Sequence, residues 1–514
     1  WVDSIGMVVI SGQVKWETTV RSTALPLRQY GDQELDIEEL VKPITKYTKM
    51  ITEPKSIRYH LEKAFYIAKS GRPGPVWLDI PLNVQAAEIN PEELIGFDVN
   101  ELDEPWKKTD LKLATKNILK KIKLAKRPVI FVGSGVRLSS KHKEFLELID
   151  LLSIPVVTGW NAHDAIWDEH PLYCGRPGTL GDRPGNFVTQ NADLLLILGS
   201  RLNIRQVSYN WESFARAAYK IWIDIDPTEM MKPSVKADMK VLADLKDILP
   251  ELVKSKNTSP TREHHEWLIW CKDRKHRFPI VEAKYWENDK VNPYCFNYEL
   301  FENLKEGQTI ITGNGSACVV GFQTANLKKN QRLWTNSGCA TMGYDLPGSI
   351  GAHKASGEDI VCLAGDGSIM MNLQELQTIA GEKLPIKIFI LNNSGYVSIF
   401  QTHRNFFNGV EVGGGPKSGV TFPSFEKLAF AFNIPYSKIE NHNNMKQTIV
   451  KSLSVKGPTI VEVMVDENQP FAPKLGAKQH PDGRITSPPL EDLSPFLPRE
   501  ILKENMIIDL QDED

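Results

Sequence analysis

Residues 360–368, IVCLAGDGS, combine an apolar run with a short polar loop that begins at Asp366. A second apolar run, residues 386–391, leads into Asn393. Between the two runs, apolar residues recur at the three- and four-residue spacing of a helix. A strand, a helix and a second strand in this order predict a parallel crossover in an α/β fold. In such a crossover both polar residues lie at the carboxyl edge of one sheet.

The two polar residues suit a metal and a phosphate group. A carboxylate and an amide oxygen that converge on one edge can hold Mg²⁺, which takes its other ligands from phosphates and water. Gly367 leaves room for a phosphate beside the backbone, and the helix that starts near Ser368 offers free N–H groups and a positive dipole end. Either loop alone is equally consistent with a simple turn. The pair at this spacing favours a metal–phosphate site at Asp366 and Asn393.

The bulk composition describes a globular chain with several cores. At 514 residues the chain exceeds the size of one core, and three domains of ordinary size are expected. The net charge of −3 gives no reason to expect nucleic acid or an anionic membrane as a partner, and no apolar run is long enough for a membrane-spanning helix. Six scattered cysteines are typical of reduced thiols, so we expect a cytoplasmic protein.

Strands and helices alternate in three blocks, which predict three doubly wound, parallel-sheet α/β domains. The predicted divisions are residues 1–90, 106–254 and 291–468 for the domains, 255–290 for a linker and 469–514 for a proline-rich tail. Pro105 and its charged neighbours mark the boundary between the first two domains. Because the first block opens almost directly on an apolar strand at residues 7–10, we expect that the N-terminal half of this domain precedes Trp1.

Several motifs match one known family. Residues 365–396 resemble a diphosphate–metal motif, and SGCATMGYDLP at residues 337–347 is similar to a loop that holds the aminopyrimidine ring of thiamine diphosphate. SGQV at 11–14 and GDQE at 31–34 resemble signatures of the first domain. The chain thus resembles the thiamine diphosphate-dependent enzymes of the acetolactate synthase group over nearly its whole length. The resemblance implies the C-terminal part of a PYR domain, a central domain, a PP domain and a tail that closes over the active site.

The resemblance also implies roles for individual residues. Asp366, Asn393 and the carbonyl of Gly395 would ligate Mg²⁺. Met342 would support the bent cofactor, an orientation effect, and Gln33 would reach the site from a neighbouring subunit. A dimer or tetramer with active sites between subunits is therefore implied. The residues expected to bind the cofactor are Gly315, Ser316, Ala340, Met342, Gly367, Ser368, Asn393 and Tyr396.

A second cofactor is an open question at this point. Gly199, Ser200 and Arg201 match a stretch that contacts FAD in some members of the family, whereas other members dispense with FAD. Both outcomes remain open from the sequence.

The implied reaction is the carboligation of 2-oxo acids, in which two pyruvate molecules give 2-acetolactate and CO₂ for branched-chain amino acid biosynthesis. This chain departs from the family around the substrates. Asp32 stands where the family has phenylalanine, Leu82 where it has lysine, and Phe400 where it has tryptophan. Ser316 and the residue after it replace a Gln-His pair.

These departures leave two alternatives open. An acidic residue in place of an aromatic ring favours a larger, sugar-derived 2-oxo substrate for a related decarboxylase or carboligase. The family's activating glutamate would lie upstream of residues 11–14, in the segment expected before Trp1. A chain without that glutamate would be an inactive, cofactor-binding regulatory homologue.

Overall fold

A computed structural model of the protein describes residues 1–102, 106–255, 259–479 and 482–511. The predicted boundary residue Pro105 lies outside the described residues, as do three residues of the predicted linker (256–258) and five of the predicted tail (480–481 and 512–514). The chain divides into two compact units, an N-terminal unit Trp1–Lys108 and a C-terminal unit Thr109–Asp514.

The N-terminal unit contains a three-stranded parallel sheet in the order β1-β3-β2. Its strands are β1 (Met7–Gln13), β2 (Tyr47–Met50) and β3 (Pro75–Pro81), and its helices are α1 (Val20–Thr23), α2 (Ile37–Val41), α3 (Ile57–Lys69) and α4 (Leu82–Gln85). The central strand β3 is apolar on both faces, as expected for a strand covered on both sides. Asp79 on β3 is buried and accepts hydrogen bonds from Ser11 Oγ (2.6 Å) and Gln13 Nε2 (3.1 Å). These bonds tie β1 to β3.

The C-terminal unit begins with a five-stranded, fully parallel sheet in the order β5-β4-β6-β7-β8. Its strands are β4 (Pro128–Val132), β5 (Val156–Thr158), β6 (Leu194–Leu198), β7 (Tyr219–Asp224) and β8 (Met239–Leu242). Its helices are α5 (Leu111–Leu124), α6 (Gly135–Leu138), α7 (His142–Leu152), α8 (Arg183–Asn191), α9 (Ile204–Val207) and α10 (Leu245–Lys254). The strand order reverses between β4 and β6, the type of crevice in which such sheets bind ligands.

A six-stranded parallel sheet follows, in the order β10-β9-β11-β12-β14-β13. Its strands are β9 (Thr309–Thr312), β10 (Arg332–Trp334), β11 (Ile360–Gly365), β12 (Ile386–Asn392), β13 (Tyr436–Ile439) and β14 (Thr459–Met464). The strands β11 and β12 are the predicted crossover pair, which places Asp366 and Asn393 at one edge. Three parallel sheets confirm the predicted fold class.

The helices that follow α10 in the chain include those that cover this sheet. They are α11 (Arg262–Arg277), α12 (Pro293–Asn303), α13 (Ser316–Thr324), α14 (Asp345–Ser356), α15 (Asp366–Ile369), α16 (Glu375–Gly381), α17 (Val397–Phe406), α18 (Phe425–Ala431), α19 (Met445–Leu453) and α20 (Arg499–Glu504). The predicted linker thus contains the 16-residue helix α11, which packs against α8 and buries Trp267 and Cys271. Within the described residues, no helix has both the length and the apolar character needed to cross a membrane.

Candidate cofactor and metal site

Asp366 lies in a buried position where β11 ends and α15 begins. Its side chain is 2% exposed; Oδ1 accepts from the N–H of Gly367 (2.7 Å), and Oδ2 accepts from the N–H groups of Asn393 and Gly395 (3.1 Å each). Burial raises the pKa of Asp366 to about 7, although these backbone donors act to lower it. Among the described residues, no basic side chain forms an ion pair with this carboxylate. Asp366 is therefore oriented for a positive charge that no described side chain provides.

Asn393 adds an unsatisfied oxygen to the same place. Its Nδ2 donates to Ser316 Oγ (3.3 Å), while its buried Oδ1 makes no hydrogen bond with any residue that the structure describes. A buried amide oxygen without a partner is costly unless a ligand satisfies it. The structure thus brings Asp366, Asn393 and Gly395 together as predicted from the sequence. The described residues contain no cluster of three or more His, Cys, Asp or Glu side chains, so a metal here depends on one carboxylate, one amide and main-chain oxygen.

A cradle of small residues surrounds these two side chains. Gly315 has φ of +60° and precedes α13, and no side chain caps the N-terminus of that helix. A Cβ atom on Gly367 would lie 2.2 Å from the ring of Tyr396, so only glycine fits beside this ring. With Ser316 bonded to Asn393, the predicted residues Gly315, Ser316, Gly367 and Tyr396 border the same edge. Free helix N–H groups at this edge suit an anionic phosphate group.

The thiamine pyrophosphate enzyme central domain matches residues 115–252, and the thiamine pyrophosphate enzyme C-terminal TPP binding domain matches residues 313–463. The acetolactate synthase large subunit of Pyropia yezoensis is 30% identical over 483 residues, which cover 92% of this chain and 78% of that protein. The chain belongs to the acetolactate synthase family of thiamine pyrophosphate enzymes. Acetolactate synthase 1 of Zea mays chloroplasts is also 30% identical (93% and 74% covered), and a probable large subunit from Methanococcus aeolicus is 29% identical (94% and 82%).

The hydroxyl group of Ser368 forms a hydrogen bond with Asp345, an acid that the sequence did not identify as part of the site. Its Oγ donates to Asp345 Oδ2 (2.6 Å) and accepts from the N–H of Gly343 (3.0 Å). Asp345 is fully buried, and its Oδ1 accepts from the N–H of Leu346 (3.0 Å). The predicted diphosphate contact of Ser368 is therefore left to its backbone N–H. The signal for Asp345 was a single acid within the otherwise uncharged stretch at residues 337–347.

The loop assigned to the aminopyrimidine ring lies beside this acid. The carbonyl of Ala340 accepts a hydrogen bond from Asn314 Nδ2, and Ala340 has φ of +53°. A carbonyl oxygen has a second lone pair, so this contact still permits Ala340, one of the predicted cofactor-binding residues, to accept a hydrogen bond from the cofactor's amino group. Met342 is half-buried and directly precedes Gly343. Gln33, the other predicted catalytic residue, is exposed in the N-terminal unit with φ of +61°, and its role stays a prediction.

Phe400, at the family's tryptophan position, is buried behind the loop that carries Asn393 and Gly395, which we call the metal loop. Cβ atoms on Gly395, Gly414 and Gly415 would each lie within 2.8 Å of its ring. The ring is only 7% exposed. Phe400 therefore supports the loop that carries Asn393 instead of presenting an open face to a substrate.

In the predicted FAD stretch, the first two residues form backbone hydrogen bonds within the fold, whereas the third has a side chain that lines a cavity. The carbonyl of Gly199 accepts from the N–H of Gly135 (2.9 Å), and the carbonyl of Ser200 accepts from Trp222 Nε1 (2.9 Å). Arg201, in contrast, lines a cavity of about 420 Å³. The cavity is also lined by Leu202, Asn203, Ile204, Arg205, Glu229, Lys232, Ser234, Ser337 and Gly338. Three basic residues and one acid give it a positive balance, which suits a phosphate-bearing ligand.

Proposed function

We propose that this chain is the catalytic chain of a thiamine diphosphate- and Mg²⁺-dependent carboligase of the acetolactate synthase type. Such an enzyme releases CO₂ from a 2-oxo acid and joins the remaining acyl unit to a second carbonyl compound. The observation that carries the proposal is the buried Oδ1 of Asn393, unsatisfied by any described residue, beside an Asp366 carboxylate with no cationic partner in the described part of the chain. Membership of the family supports the same reaction class.

When bound, thiamine diphosphate supplies a nucleophilic carbon and an electron sink for decarboxylation. The chain's own residues would hold and orient it. Asp366 and Asn393 would hold Mg²⁺, and the N–H groups at the start of α13 would bind the diphosphate. The carbonyl of Ala340 would accept a hydrogen bond from the amino group of the ring, and Met342 would support the ring from below.

An assay of CO₂ release and product formation identifies the donor and acceptor substrates. With pyruvate as the sole substrate, we expect the full-length protein, including any segment before Trp1, to release CO₂ and form 2-acetolactate when thiamine diphosphate and Mg²⁺ are present. The exposed carboxylate of Asp32 and the 52% exposed side chain of Leu82 favour a larger, hydroxylated 2-oxo substrate as the second candidate. CO₂ release from sugar-derived 2-oxo acids but not from pyruvate would select that candidate. No release from any 2-oxo acid would select a regulatory role.

We also propose a second cofactor, an oligomeric state and a cellular compartment for this protein. The positive cavity at Arg201, Arg205 and Lys232 supports a phosphate-bearing ligand, and visible flavin absorbance of the purified protein would identify it as FAD. Gln33 leads us to propose a homo-oligomer with shared active sites. All six cysteines are free, which supports the cytoplasm as the compartment.

Mg²⁺ binding should weaken as the pH falls below about 7. Because the pKa of Asp366 is raised to about 7, the metal-free folded chain holds a proton that the unfolded chain has released. Its stability therefore falls as the pH rises from about 4 through about 7. Mg²⁺ requires the charged carboxylate, so its affinity should fall about tenfold per pH unit below about 7. Titration calorimetry in buffers of different ionisation enthalpy should show about one proton released per Mg²⁺ at about pH 6. Equal affinity at about pH 6 and pH 8 would contradict this assignment.

Asp345→Asn should weaken thiamine diphosphate binding by about tenfold. Asparagine offers one side-chain oxygen to the two donors that Asp345 now satisfies, Ser368 Oγ–H and Leu346 N–H. Leaving one buried donor unpaired costs about 1–3 kcal/mol. Ser368 Oγ also accepts a hydrogen bond from the N–H of Gly343. The loop at residues 337–347 and the loop at residues 366–368 should therefore shift relative to each other. Calorimetric titration measures the loss; the exposed Asp289→Asn is the control, and unchanged affinity in Asp345→Asn would refute the role.

A further inference from the structure

Helix α17 begins directly after the metal loop, and the tail runs beside it. Gln401 on this helix accepts two hydrogen bonds at Oε1, from Lys474 Nζ (3.1 Å) and from the N–H of Phe471 (3.5 Å). Turning the amide over would place its NH₂ group against two donors, so the orientation is fixed. The Nε2 atom is buried and has no hydrogen-bond partner among the described residues.

Lys474 is held in place without a negative partner. Its backbone exchanges two hydrogen bonds with Ser494 (2.9 and 2.7 Å), and the preceding carbonyl, of Pro473, accepts from Gln323 Nε2 (2.7 Å). The side chain is half-buried, and burial lowers the pKa of its ammonium group. No carboxylate of the described residues lies within ion-pair distance of it. An ammonium group with unused donors is thus fixed beside an amide with unused donors.

This pair lies close to the metal loop. Phe400, the neighbour of Gln401, packs against Gly395. Gln401 therefore lies in α17 directly after the residue that supports the loop carrying Asn393. Arg404, three residues further along the same helix, adds a positive charge, which Glu467 nearby partly offsets. A site with several donors, net positive charge and an unsatisfied amide recognises an oxyanion.

We propose that Lys474 and Gln401 form an oxyanion subsite that binds the carboxylate or phosphate group of the acceptor substrate. The proposal rests on the proposed carboligase function and names the acceptor class as anionic. Binding here needs no covalent step, since the ammonium group and the amide NH₂ only donate hydrogen bonds to the oxyanion. The subsite would select acceptors and orient their carbonyl groups toward the metal loop.

The test compares anionic and uncharged acceptors with one donor. In Lys474→Met, the ratio of kcat/KM for a carboxylate or phosphate acceptor to kcat/KM for a neutral aldehyde should fall at least tenfold, mainly through KM. Gln401→Glu should lower this ratio at least as far, because a carboxylate there would pair with Lys474 and repel the oxyanion. Lys474→Arg should restore most of it. The exposed Lys456→Met is the control and should keep the wild-type ratio.

A binding readout separates this proposal from the proposed function. With saturating thiamine diphosphate and Mg²⁺ present to fill the diphosphate cradle, acetate should raise the melting temperature of the wild-type protein, and this rise should be lost in Lys474→Met. If the wild-type protein turns over no 2-oxo acid, the carboligase fails while the anion effect still reports on the subsite. An unchanged acceptor ratio, or an anion effect retained in Lys474→Met, would overturn the subsite.

Discussion

Asp366→Asn is expected to abolish measurable turnover and to weaken Mg²⁺ binding by about 100-fold or more. The substitution keeps the shape of the side chain and one oxygen, but it removes the negative charge that the site offers to a cation. It also places an NH₂ group near the backbone N–H groups of Gly367, Asn393 and Gly395, which now donate to the carboxylate. Charge loss and donor–donor repulsion therefore act in the same direction.

The matched control for Asp366→Asn is a substitution at Asp359, at the opposite end of strand β11. Asp359 precedes β11, is exposed and lies 3.9 Å from Lys387 Nζ, a weak ion pair. Asp359→Asn removes the same charge and should leave turnover and Mg²⁺ affinity near the wild-type values. Calorimetry of Mg²⁺ binding in the presence of thiamine diphosphate is the measurement. Comparable affinities in the two variants would show that Asp366 is not a metal ligand.

Arg176→Met is expected to destabilise the C-terminal unit by about 3–5 kcal/mol, the range for one partner removed from a buried ion pair. Arg176 is 4% exposed and its Nη2 donates to Asp168 Oδ2 (2.7 Å). Its guanidinium also donates to the carbonyls of Phe322 (3.1 Å), Gln323 (3.3 Å) and Ala325 (2.6 Å), at the C-terminal end of α13. Methionine fills much of the volume but satisfies none of these oxygens.

Arg176→Met should also affect function, because the N-terminal end of α13 belongs to the candidate cofactor site. The N-terminus of α13 carries Ser316 and the N–H groups of the diphosphate cradle, so a loosened C-terminus should also weaken cofactor binding. Urea unfolding measures the destabilisation, and the exposed Arg28→Met is the control. Asp168→Asn in the Arg176→Met background should recover part of the loss, because it removes a buried charge whose remaining cationic partner, Lys275 Nζ, is 3.8 Å away. A loss below about 1 kcal/mol in Arg176→Met would contradict the assigned role.

The crossover that carries the site could be predicted because its signals are local. Apolar runs of strand length and a helical spacing between them are visible in the sequence, and they correspond to β11, α15, α16 and β12. Parallel strands then bring Asp366 and Asn393 together without knowledge of any other contact. The chemistry of their side chains indicated the metal before any distance was known.

The supports of the site could not be predicted because they join distant parts of the chain. Asp345 reaches Ser368 across 23 residues, and Arg176 reaches the end of α13 across more than 140. Neither pairing leaves a periodic pattern. Helix α11 was predicted as linker because it is rich in charged residues, and two of its four buried residues, His264 and Arg274, are themselves polar, so its apolar face is narrow. Phe400 was placed by alignment alone, which does not distinguish a ring that lines a site from one that supports it.

The most direct test of this account is an anomalous-scattering experiment on crystals grown with thiamine diphosphate and Mn²⁺ in place of Mg²⁺. The account predicts one strong peak per chain within coordination distance of a carboxylate oxygen of Asp366, the Oδ1 of Asn393 and the carbonyl of Gly395, with the diphosphate completing the ligands. A bound cofactor with no peak there, or a peak that leaves Asn393 Oδ1 without a ligand, would contradict it.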